Sequence, residues 1–406
     1  MSMYKSIKNQ IRLVKLKNKL LKENMFFKKE SLVFKEKNVL IVDEIIPEFN
    51  KDSGSRRLKE IISILLKNDI GVFLLADYRQ HRYKSDYFEV YKKMGVNVYQ
   101  PAIFKDEVLT IEGFIKLIAP KLNYAWLHRP HIFDKYQSIV NNANPKVKLI
   151  YDMVDFHYVR LQREYELNKN EDHKIDAQKY LELETKNSKE ADVTIAISET
   201  DKALLLKHYN KPQQIKVLSN IHQHLPKTAN FQTFENRKNL LFIGNFRHTP
   251  NQDAILFLHD KIMPIIWKTL PDVKVDIIGS YATEDIKALH SEQFNVIGFV
   301  DDVKDYFYSS RLFIAPLRYG AGIKGKIGQS LEYSLPLITT DIGAEGFNFG
   351  AHHDVMVGNT PQDIAAKIIE VYTNKEVWDT LSDYSEHILE PFSLKSTEDT
   401  VLSLIK

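Results

Sequence analysis

Cysteine is absent from the 406 residues of this sequence, which excludes disulfide bonds and thiolate metal sites. Long apolar runs are absent as well, and no stretch approaches the roughly 18 uninterrupted apolar residues that indicate a membrane-spanning helix. The first 30 residues lack the apolar core of a signal peptide. From these absences we expect a cytoplasmic protein.

The composition is that of a soluble globular protein, with 44% hydrophobic and 27% charged residues. Its length predicts two or three domains, each large enough to bury a core. The net charge of +3 is unevenly distributed, because residues 1–37 hold 11 Lys/Arg and 3 Asp/Glu whereas the rest of the chain holds 45 basic and 50 acidic residues. A mildly acidic body argues against a nucleic-acid partner.

The basic N-terminal segment has the pattern of an amphipathic helix over residues 4–24. Lysines fill most positions between apolar residues that recur at helical spacing, namely Ile7, Ile11, Leu13, Val14, Leu16, Leu20 and Leu21. One interpretation is an arm that lies on anionic lipid at the inner face of the membrane. The other is a helix docked on the body of the protein with a solvated basic face. The sequence leaves both interpretations open.

From Asn38 onward, short apolar strands alternate with helical segments. NVLIVDEI is followed by the helix SRRLKEIISILLKN and the strand GVFLLAD, and a second run of the same kind begins at NLLFIGNF. This alternation predicts an α/β protein with two doubly wound, Rossmann-like domains that face each other across a cleft. The expected segments are the basic segment 1–37, an N-terminal domain 38–225, a linker 226–238, a C-terminal domain 239–385, and a helical tail 386–406 that can pack back on the N-terminal domain.

The most informative segment is the glycine-rich stretch RYGAGIKGKIGQ, which lies between a predicted strand and a predicted helix. The backbone amides of such a loop and the helix N-terminus attract phosphate, and Lys324 and Lys326 add two cations, so a diphosphate is the expected guest. The stretch also matches the P-loop pattern, but Ile327 stands where Ser or Thr would hold magnesium. It matches the dinucleotide-binding pattern too, although Pro316 lies in the preceding strand and the unit comes late in the chain.

Three segments resemble glycosyltransferase family 4, in the branch found among bacterial O-antigen and capsule gene products: LLFIGNFRHTPNQDA, LFIAPLRYGAGIKGKIGQSLEYSLPLITT and DIGAEG. The resemblance extends from about Asn38 to Gly346. It implies the GT-B fold, with an N-terminal acceptor domain, a C-terminal nucleotide-sugar donor domain and retention of anomeric configuration. It also implies that no metal or other cofactor is needed. In agreement, the sequence contains no D-x-D, the pair with which metal-dependent transferases of the other major fold hold a divalent cation.

In terms of that family, the donor site comprises Arg247, Gly322, Lys324, Lys326, Gln329 and Glu345. Gln329 occupies the position of the second glutamate of a family pair with seven residues between its members, and Ala321 lies near the position of the first. Gln329 can still form hydrogen bonds with ribose or sugar hydroxyls, but it brings no charge. The two lysines are the expected compensation.

Two further sites are predicted at strand ends of the N-terminal domain, where doubly wound sheets line their ligand crevice. The resemblance implies that the loop with Gly54, Ser55 and Arg56 faces the cleft and meets the diphosphate or the acceptor. His157 and Asp155 form the candidate catalytic pair, because His157 can donate to the leaving group and Asp155 can orient it or accept the acceptor's proton. Helix capping and a hydrogen-bonded buried histidine are the ordinary structural alternatives.

The sequence therefore predicts a glycosyltransferase that moves a sugar from a nucleotide-sugar donor to a glycan or lipid-linked acceptor in bacterial capsule or lipopolysaccharide biosynthesis. Two other functions remain open. One is a GT-B-like sugar-nucleotide epimerase. The other is a degenerate, non-catalytic GT-B subunit that scaffolds polysaccharide assembly. This function remains open because Ala321 and Gln329 stand at or near the positions where the family has glutamates.

Overall fold

The computed structural model describes residues 2–83, 85–227 and 231–405. The strands of the N-terminal domain are β1 (Lys37–Asp43), β2 (Ile70–Ala76), β3 (Asn97–Val98), β4 (Ile103–Phe104), β5 (Glu107–Val108), β6 (Tyr124–His128), β7 (Lys148–Asp152), β8 (Val193–Ala196) and β9 (Ile215–Val217). The strands of the C-terminal domain are β10 (Lys238–Ile243), β11 (Val275–Ile278), β12 (Phe294–Gly298), β13 (Ser310–Ala315) and β14 (Leu337–Thr339).

Helices alternate with these strands. The first half of the chain contains α1 (Ser2–Lys22), α2 (Ser53–Lys67), α3 (Arg79–Tyr83), α4 (Phe88–Lys93), α5 (Ile111–Ile118), α6 (Pro130–Ala143), α7 (His157–Asn168), α8 (Glu171–Glu190) and α9 (Glu199–Leu206). The second half contains α10 (Thr249–Phe257), α11 (Met263–Thr269), α12 (Glu284–Ala288), α13 (Lys304–Ser309), α14 (Gly325–Glu332), α15 (Asp341–Ala344), α16 (His353–Met356), α17 (Pro361–Thr373), α18 (Lys375–Leu389) and α19 (Leu394–Leu404). Within the described ranges, no helix combines the length and the apolar character that a membrane span needs.

Each domain is built on one parallel sheet. The N-terminal sheet has the strand order β3-β2-β1-β6-β7-β8-β9, and the C-terminal sheet has the order β12-β11-β10-β13-β14. Central strands are buried along almost their whole length because helices cover both faces, which explains why they read as continuous apolar runs. In β1, Leu40 and Val42 join the core on one face of the sheet, while Val39 and Ile41 join the core on the other. The predicted α/β class with two doubly wound domains is confirmed.

The last helix returns to the N-terminal domain. α19 packs on α2, where Val401 and Leu404 join the N-terminal core. At the same contact, the Lys67 Nζ lies 2.8 Å from a carboxylate oxygen of Glu398. The predicted boundary after residue 385 is wrong, because α18 continues to Leu389 and contributes its last residues to the C-terminal core. The chain leaves the C-terminal domain only at residues 390–393.

The predicted linker 226–238 is also too long at its C-terminal end, and residues 228–230 lie outside the described residues. Arg237 is fully buried in the C-terminal domain, where its guanidinium donates to the carbonyl oxygens of Phe307 (2.8 Å) and Ser310 (3.0 Å). Lys238 already belongs to β10. The C-terminal domain therefore begins before the predicted linker ends.

The N-terminal helix α1 confirms the predicted helical segment, and its last turns dock on the β4–β5 hairpin. Leu20 is fully buried there, and the Lys17 Nζ lies 3.5 Å from a Glu107 carboxylate oxygen. The following residues pair with the hairpin, since Ile103 donates its N–H to the Met25 carbonyl at 2.8 Å. The opposite helix face, with Ile11, Val14 and Leu21, is exposed.

Candidate active site

A cavity of about 470 Å³ lies between the two domains. Its walls consist largely of residues that directly follow the carboxyl ends of parallel strands. Arg129, Val154 and Ile197 follow strands of the N-terminal sheet, whereas Gly244 and Gly279 follow strands of the C-terminal sheet. This is where open α/β sheets bind ligands, because the loops and helix N-termini at that edge point into the crevice.

Three helices begin at the cavity, namely α2, α7 and α14. Their first residues Ser53, His157 and Gly325 all line its wall. Each helix N-terminus carries a partial positive charge of about half an elementary charge. Asp52 caps α2 and Glu184 binds the first N–H groups of α7, whereas no side chain caps α14, so its first N–H groups are open to an anion. A Cβ at Gly325 would lie 2.3 Å from the Cβ of Ser53, so only glycine permits α2 and α14 to approach so closely across the cleft. The convergence makes the cavity favourable for an anion.

The glycine-rich loop follows β13 and leads into α14. Gly322 has a φ of 69°, which an ordinary L-residue rarely adopts, and a Cβ there would lie 3.0 Å from the Ile197 side chain. The turn brings Lys324 into the loop, where its Nζ donates to the Gly322 carbonyl at 2.5 Å and lies 3.2 Å from Glu345 Oε2. Burial lowers the pKa of Lys324, although the carboxylates of Glu345 and Asp201 oppose that shift.

Lys326 lies two residues further along the chain, and its side chain points toward α10. Its Nζ donates to Asn251 Oδ1 at 2.5 Å and lies 4.1 Å from the centre of the Phe242 ring. Among the described residues, no carboxylate forms an ion pair with this ammonium. Burial lowers the pKa of Lys326 to about 7, so near neutral pH the side chain is close to losing its proton.

The candidate pair Asp155 and His157 lies on the opposite wall. His157 Nδ1 is 3.2 Å from Asp155 Oδ1 and 3.2 Å from Glu184 Oε1. Glu184 also accepts the backbone N–H groups of His157 (3.0 Å) and Tyr158 (3.1 Å), and the Tyr180 ring stacks on the imidazole at 4.9 Å. Glu184 therefore caps α7 and fixes the imidazole, which is the arrangement that orients a catalytic histidine.

Asp155 is an ionised group at neutral pH. Burial alone would raise its pKa, but His157 and Arg160 hold the pKa at about 2. A carboxylate with so low a pKa is a weak proton acceptor, because the proton it takes up is lost again to water. The structure thus favours Asp155 as the group that orients His157 and stabilises positive charge, rather than as the base.

Backbone strain is concentrated beside this pair. Val154 has a φ of 66°, which is costly for a β-branched residue. Asp152 holds the turn, since its Oδ1 accepts the Val154 N–H at 3.2 Å and its Oδ2 accepts Arg57 Nη1 and Trp126 Nε1, each at 2.9 Å. Arg57 and Asp152 are both fully buried. This ion pair therefore presents the Asp155 loop to the cavity at the end of β7.

Most residues predicted from the sequence line the cavity together: Gly54, Arg56, Asp155, His157, Gly322, Lys324, Lys326 and Gln329. Three predicted site residues lie outside its wall. Ser55 is buried and donates its hydroxyl to Asp52, which caps α2. Arg247 is exposed and stacks on the Tyr281 ring at 3.5 Å, because the turn after β10 directs it outward. Glu345 is held by Arg163 and Lys324, so its carboxylate is already engaged.

Arg56 does more than line the cleft. Its guanidinium forms two hydrogen bonds of 2.8 Å with the carboxylate of Glu332 on α14, and that carboxylate also lies 2.9 Å from His222 Nδ1. Arg56 belongs to the N-terminal domain and Glu332 to the C-terminal domain. The pair therefore joins the two domains next to the cavity.

Sequence reasoning missed several residues of this region. Glu184 lies in a polar helix without a core stripe, so no pattern marks it as buried. Asp201 is buried near Lys324, its Oδ2 has no hydrogen-bond partner among the described atoms, and burial raises its pKa to about 6. Arg163 lies in a helix whose polar sequence predicts exposure to solvent. Its partner Gly320 is 157 residues away along the chain. Only the fold brings Asp201 and Arg163 to the loop, and Glu184 to His157.

Part of the C-terminal half is similar to a known protein family. Residues 237–374 match the family described as Glycosyl transferases group 1. Over 145 residues, the chain is 26% identical to an uncharacterized 44.6 kDa protein in the cps region of Klebsiella pneumoniae. This aligned segment covers 34% of this chain and 37% of that protein. Over 76 residues, it is 28% identical to TuaC of Bacillus subtilis, a protein assigned to teichuronic acid biosynthesis as a glycosyltransferase, which covers 19% of each chain. The match thus spans well under half of either relative.

Solved structures extend the likeness to the whole fold. The structure of Anabaena Alr3699/HepE in complex with UDP and glucose superposes with a TM-score of 0.65 at 12% identity, over 90% of this chain and 98% of that one. At this level of identity the likeness establishes the fold and no more. The GT-B fold is confirmed, and the resemblance to group 1 glycosyltransferases is confirmed for residues 237–374.

Proposed function

We propose that this GT-B chain, whose residues 237–374 match the group 1 glycosyltransferases, moves a sugar from a nucleotide-sugar donor to a glycan or lipid-linked acceptor during cell-surface polysaccharide biosynthesis. The observation that carries the proposal is the position of Lys324, Lys326 and the uncapped N-terminus of α14 in one cavity, opposite the Asp155–His157 pair. A diphosphate matches the charge of the first group. The reacting sugar then lies between it and the second.

The C-terminal wall supplies a complementary surface for the nucleoside. Beside the loop, the cavity is lined by the apolar side chains of Ile243, Ile278, Val300 and Val303. A flat base fits such a surface, while Gln329 offers an amide to hydroxyl groups. The acceptor would enter from the N-terminal side, where Lys51, Arg129 and Arg160 line the wall. We further propose that transfer proceeds with retention and without a bound metal.

The direct test is release of nucleoside diphosphate from a panel of nucleotide sugars, with and without glycan acceptors. Acceptor-dependent release supports a transferase, and the product's anomeric configuration by NMR tests retention. Conversion of the donor to an epimer without an acceptor would indicate an epimerase. Binding of neither donor nor product would leave a scaffold subunit and contradict the proposal.

Two lysine variants locate the donor site. Lys324→Ala and Lys326→Ala should each weaken nucleoside-diphosphate binding about tenfold or more, since a charge-assisted contact contributes roughly 1.5–3 kcal/mol. Lys274→Ala is the matched control, because this C-terminal lysine pairs with Glu292 at 3.0 Å and does not line the cavity. Unchanged affinity in both active-site variants would remove the diphosphate from this loop.

We also propose that α1 attaches the enzyme to an anionic membrane surface. Ile11, Val14 and Leu21 are exposed on a stripe of α1 that is turned away from the buried Leu20. The cations Arg12, Lys15, Lys19 and Lys22 recur at the same helical spacing on the neighbouring stripe. An apolar stripe beside a basic stripe is the arrangement that rests in the interface of a bilayer. Each cation near an anionic surface contributes about 1 kcal/mol, so four would give attachment that salt reverses.

The attachment is tested by co-sedimentation of the full chain with phosphatidylserine-containing and neutral vesicles. The triple variant Ile11→Ser, Val14→Ser and Leu21→Ser should lose binding to the anionic vesicles while turnover on a soluble acceptor is unchanged. Ile175→Ser removes an exposed apolar residue of α8 and serves as the control. A wild-type chain that ignores anionic vesicles at low salt would show that α1 is only a docked structural helix.

A further inference from the structure

Arg163 on α7 reaches from the N-terminal domain to the glycine-rich loop of the C-terminal domain. Its Nη1 donates to the Gly320 carbonyl at 2.7 Å and to Glu345 Oε2 at 2.9 Å, and its Nη2 lies 2.5 Å from Glu345 Oε1. Arg163 does not line the cavity. Its three hydrogen bonds nevertheless fix both the first turn of the loop and the carboxylate behind it.

The same carboxylate is the partner of Lys324. Glu345 Oε2 lies 3.2 Å from the Lys324 Nζ, which the Gly322 carbonyl also holds at 2.5 Å. Asp201 is a second carboxyl group whose charge acts on this lysine, and its side chain is buried. In the immediate surroundings of Lys324, the two cations Arg163 and Lys324 therefore balance the carboxylates of Glu345 and Asp201 while Arg163 is present. Without Arg163 the remaining three groups would carry one excess negative charge beside the place of a dianionic ligand.

We propose that Arg163 is a positioning residue that engages Glu345 and Gly320 so that the Lys324 ammonium stays available to the ligand's diphosphate. The inference rests on the proposed function, because it assigns a further residue to the same donor site. Arg163 acts on the ligand only through Glu345 and Lys324. Its loss should therefore weaken donor binding although the side chain never touches the donor.

An electrostatic role and a purely mechanical role of Arg163 predict different effects of the same variants on ligand binding. If Arg163 only ties the domains together, Arg163→Gln removes its bonds to both Gly320 and Glu345, and adding Glu345→Gln should restore nothing. If Arg163 offsets the charge of Glu345, Arg163→Gln should be more damaging than Glu345→Gln, since it leaves Glu345 to neutralise Lys324. Adding Glu345→Gln to Arg163→Gln should then restore binding, because the uncompensated carboxylate is gone.

The experiment measures dissociation constants of the full-length chain by calorimetry, with UDP and with inorganic pyrophosphate as a base-free probe. We expect Arg163→Gln to raise both constants about tenfold, Glu345→Gln to change them less than about threefold, and the double variant to return to the value of Glu345→Gln. Arg163→Lys, which keeps the charge and loses the paired hydrogen bonds, should lie between wild type and Arg163→Gln. In turnover assays the change should appear mainly in the donor KM rather than in kcat.

The control is Lys274→Gln, which removes an ion pair with Glu292 within the C-terminal domain, away from the cavity and from the glycine-rich loop. Its binding constants should stay within about twofold of the wild-type values. Equal losses in Arg163→Gln and Glu345→Gln, or a double variant no better than Arg163→Gln, would overturn the inference in favour of a domain tie. A wild-type chain that binds neither UDP nor pyrophosphate would instead contradict the proposed function. If Arg163→Gln does not fold, the dissociation constants of Arg163→Lys and Glu345→Gln are compared instead.

Discussion

Raising the pH above 7 should weaken nucleotide-sugar binding to the cleft, because Lys326 loses its proton there. In the empty cavity its ammonium has Asn251 and the Phe242 ring as neighbours, and burial lowers its pKa to about 7. A bound diphosphate would provide the missing counter-charge and raise that pKa again. The complex then holds a proton that the free protein has lost, so affinity must fall as the pH rises.

The size of the effect follows from the protonated fraction of the free protein. With a pKa of about 7, that fraction is about one half at pH 7 and about 3% at pH 8.5, so affinity should fall roughly 15-fold if the lysine stays protonated in the complex. Binding at pH 8 should take up about 0.9 proton per nucleotide sugar. The phosphates of a nucleotide sugar do not titrate in this interval and add nothing to the change.

The assay is calorimetric titration of the wild-type chain with one nucleotide sugar at several pH values and in two buffers of different ionisation enthalpy. Lys326→Arg is the matched variant, because a guanidinium keeps its proton throughout this range and should give a flat profile above pH 7. Lys326→Met should also give a flat profile at lower affinity. These variants separate Lys326 from other groups near the cavity, such as Asp201, whose pKa is about 6.

Two results would refute the reasoning. One is an affinity that does not change between pH 7 and 8.5 in the wild-type chain, with no proton uptake. The other is a Lys326→Arg variant that shows the same decline as the wild type. Either result would mean that the diphosphate does not meet Lys326.

Three further predictions concern chemistry and stability. Turnover should survive EDTA, because Lys324, Lys326 and the helix N-termini supply the positive charge; activity that is lost with EDTA and restored by magnesium or manganese would contradict this. Asp155→Asn and His157→Ala should each lower kcat by about 10²–10⁴-fold and change the donor affinity less. Steady-state kinetics and calorimetry measure the two quantities. Equal losses in kcat and in donor affinity would indicate a binding role instead. Arg57→Met should lower the free energy of unfolding in urea by about 3–5 kcal/mol, since it leaves the buried Asp152 carboxylate unpaired, and adding Asp152→Asn should recover part of the loss.

The fold was predictable because parallel strands covered on both faces must be apolar throughout, and the segments that became β1 and β2 show this continuous apolar pattern. Domain boundaries are harder to predict from the sequence than the fold. The predicted boundary at residue 385 is wrong because the periodic pattern of α18 indicates a helix but does not indicate which domain buries it. Arg237 looked like a linker residue, since nothing in its neighbourhood in sequence shows that Phe307 and Ser310 will surround it.

The residues of the candidate site also fall into two groups, those that a local sequence pattern predicts and those that it does not. Lys324, Lys326 and Gln329 could be found from the sequence because they lie within a few residues of the glycines that shape their loop. The sequence places Glu345 in the predicted donor site, but Arg163, which lies 182 residues away along the chain, engages its carboxylate. Glu184 is 27 residues from His157, in a helix with no apolar face to predict its burial. Partners that meet only through the fold leave no local pattern.

The return of α19 to the N-terminal domain has a consequence for protein engineering. Val401 and Leu404 complete the core beside α2, so a fragment that stops near residue 225 would expose an apolar strip there. The N-terminal domain is therefore discontinuous, and the two halves cannot be cut apart at one point. A chimera that borrows the donor domain of a related enzyme should exchange only the segment between the two crossings, from about residue 226 to 390, and keep the native final helix.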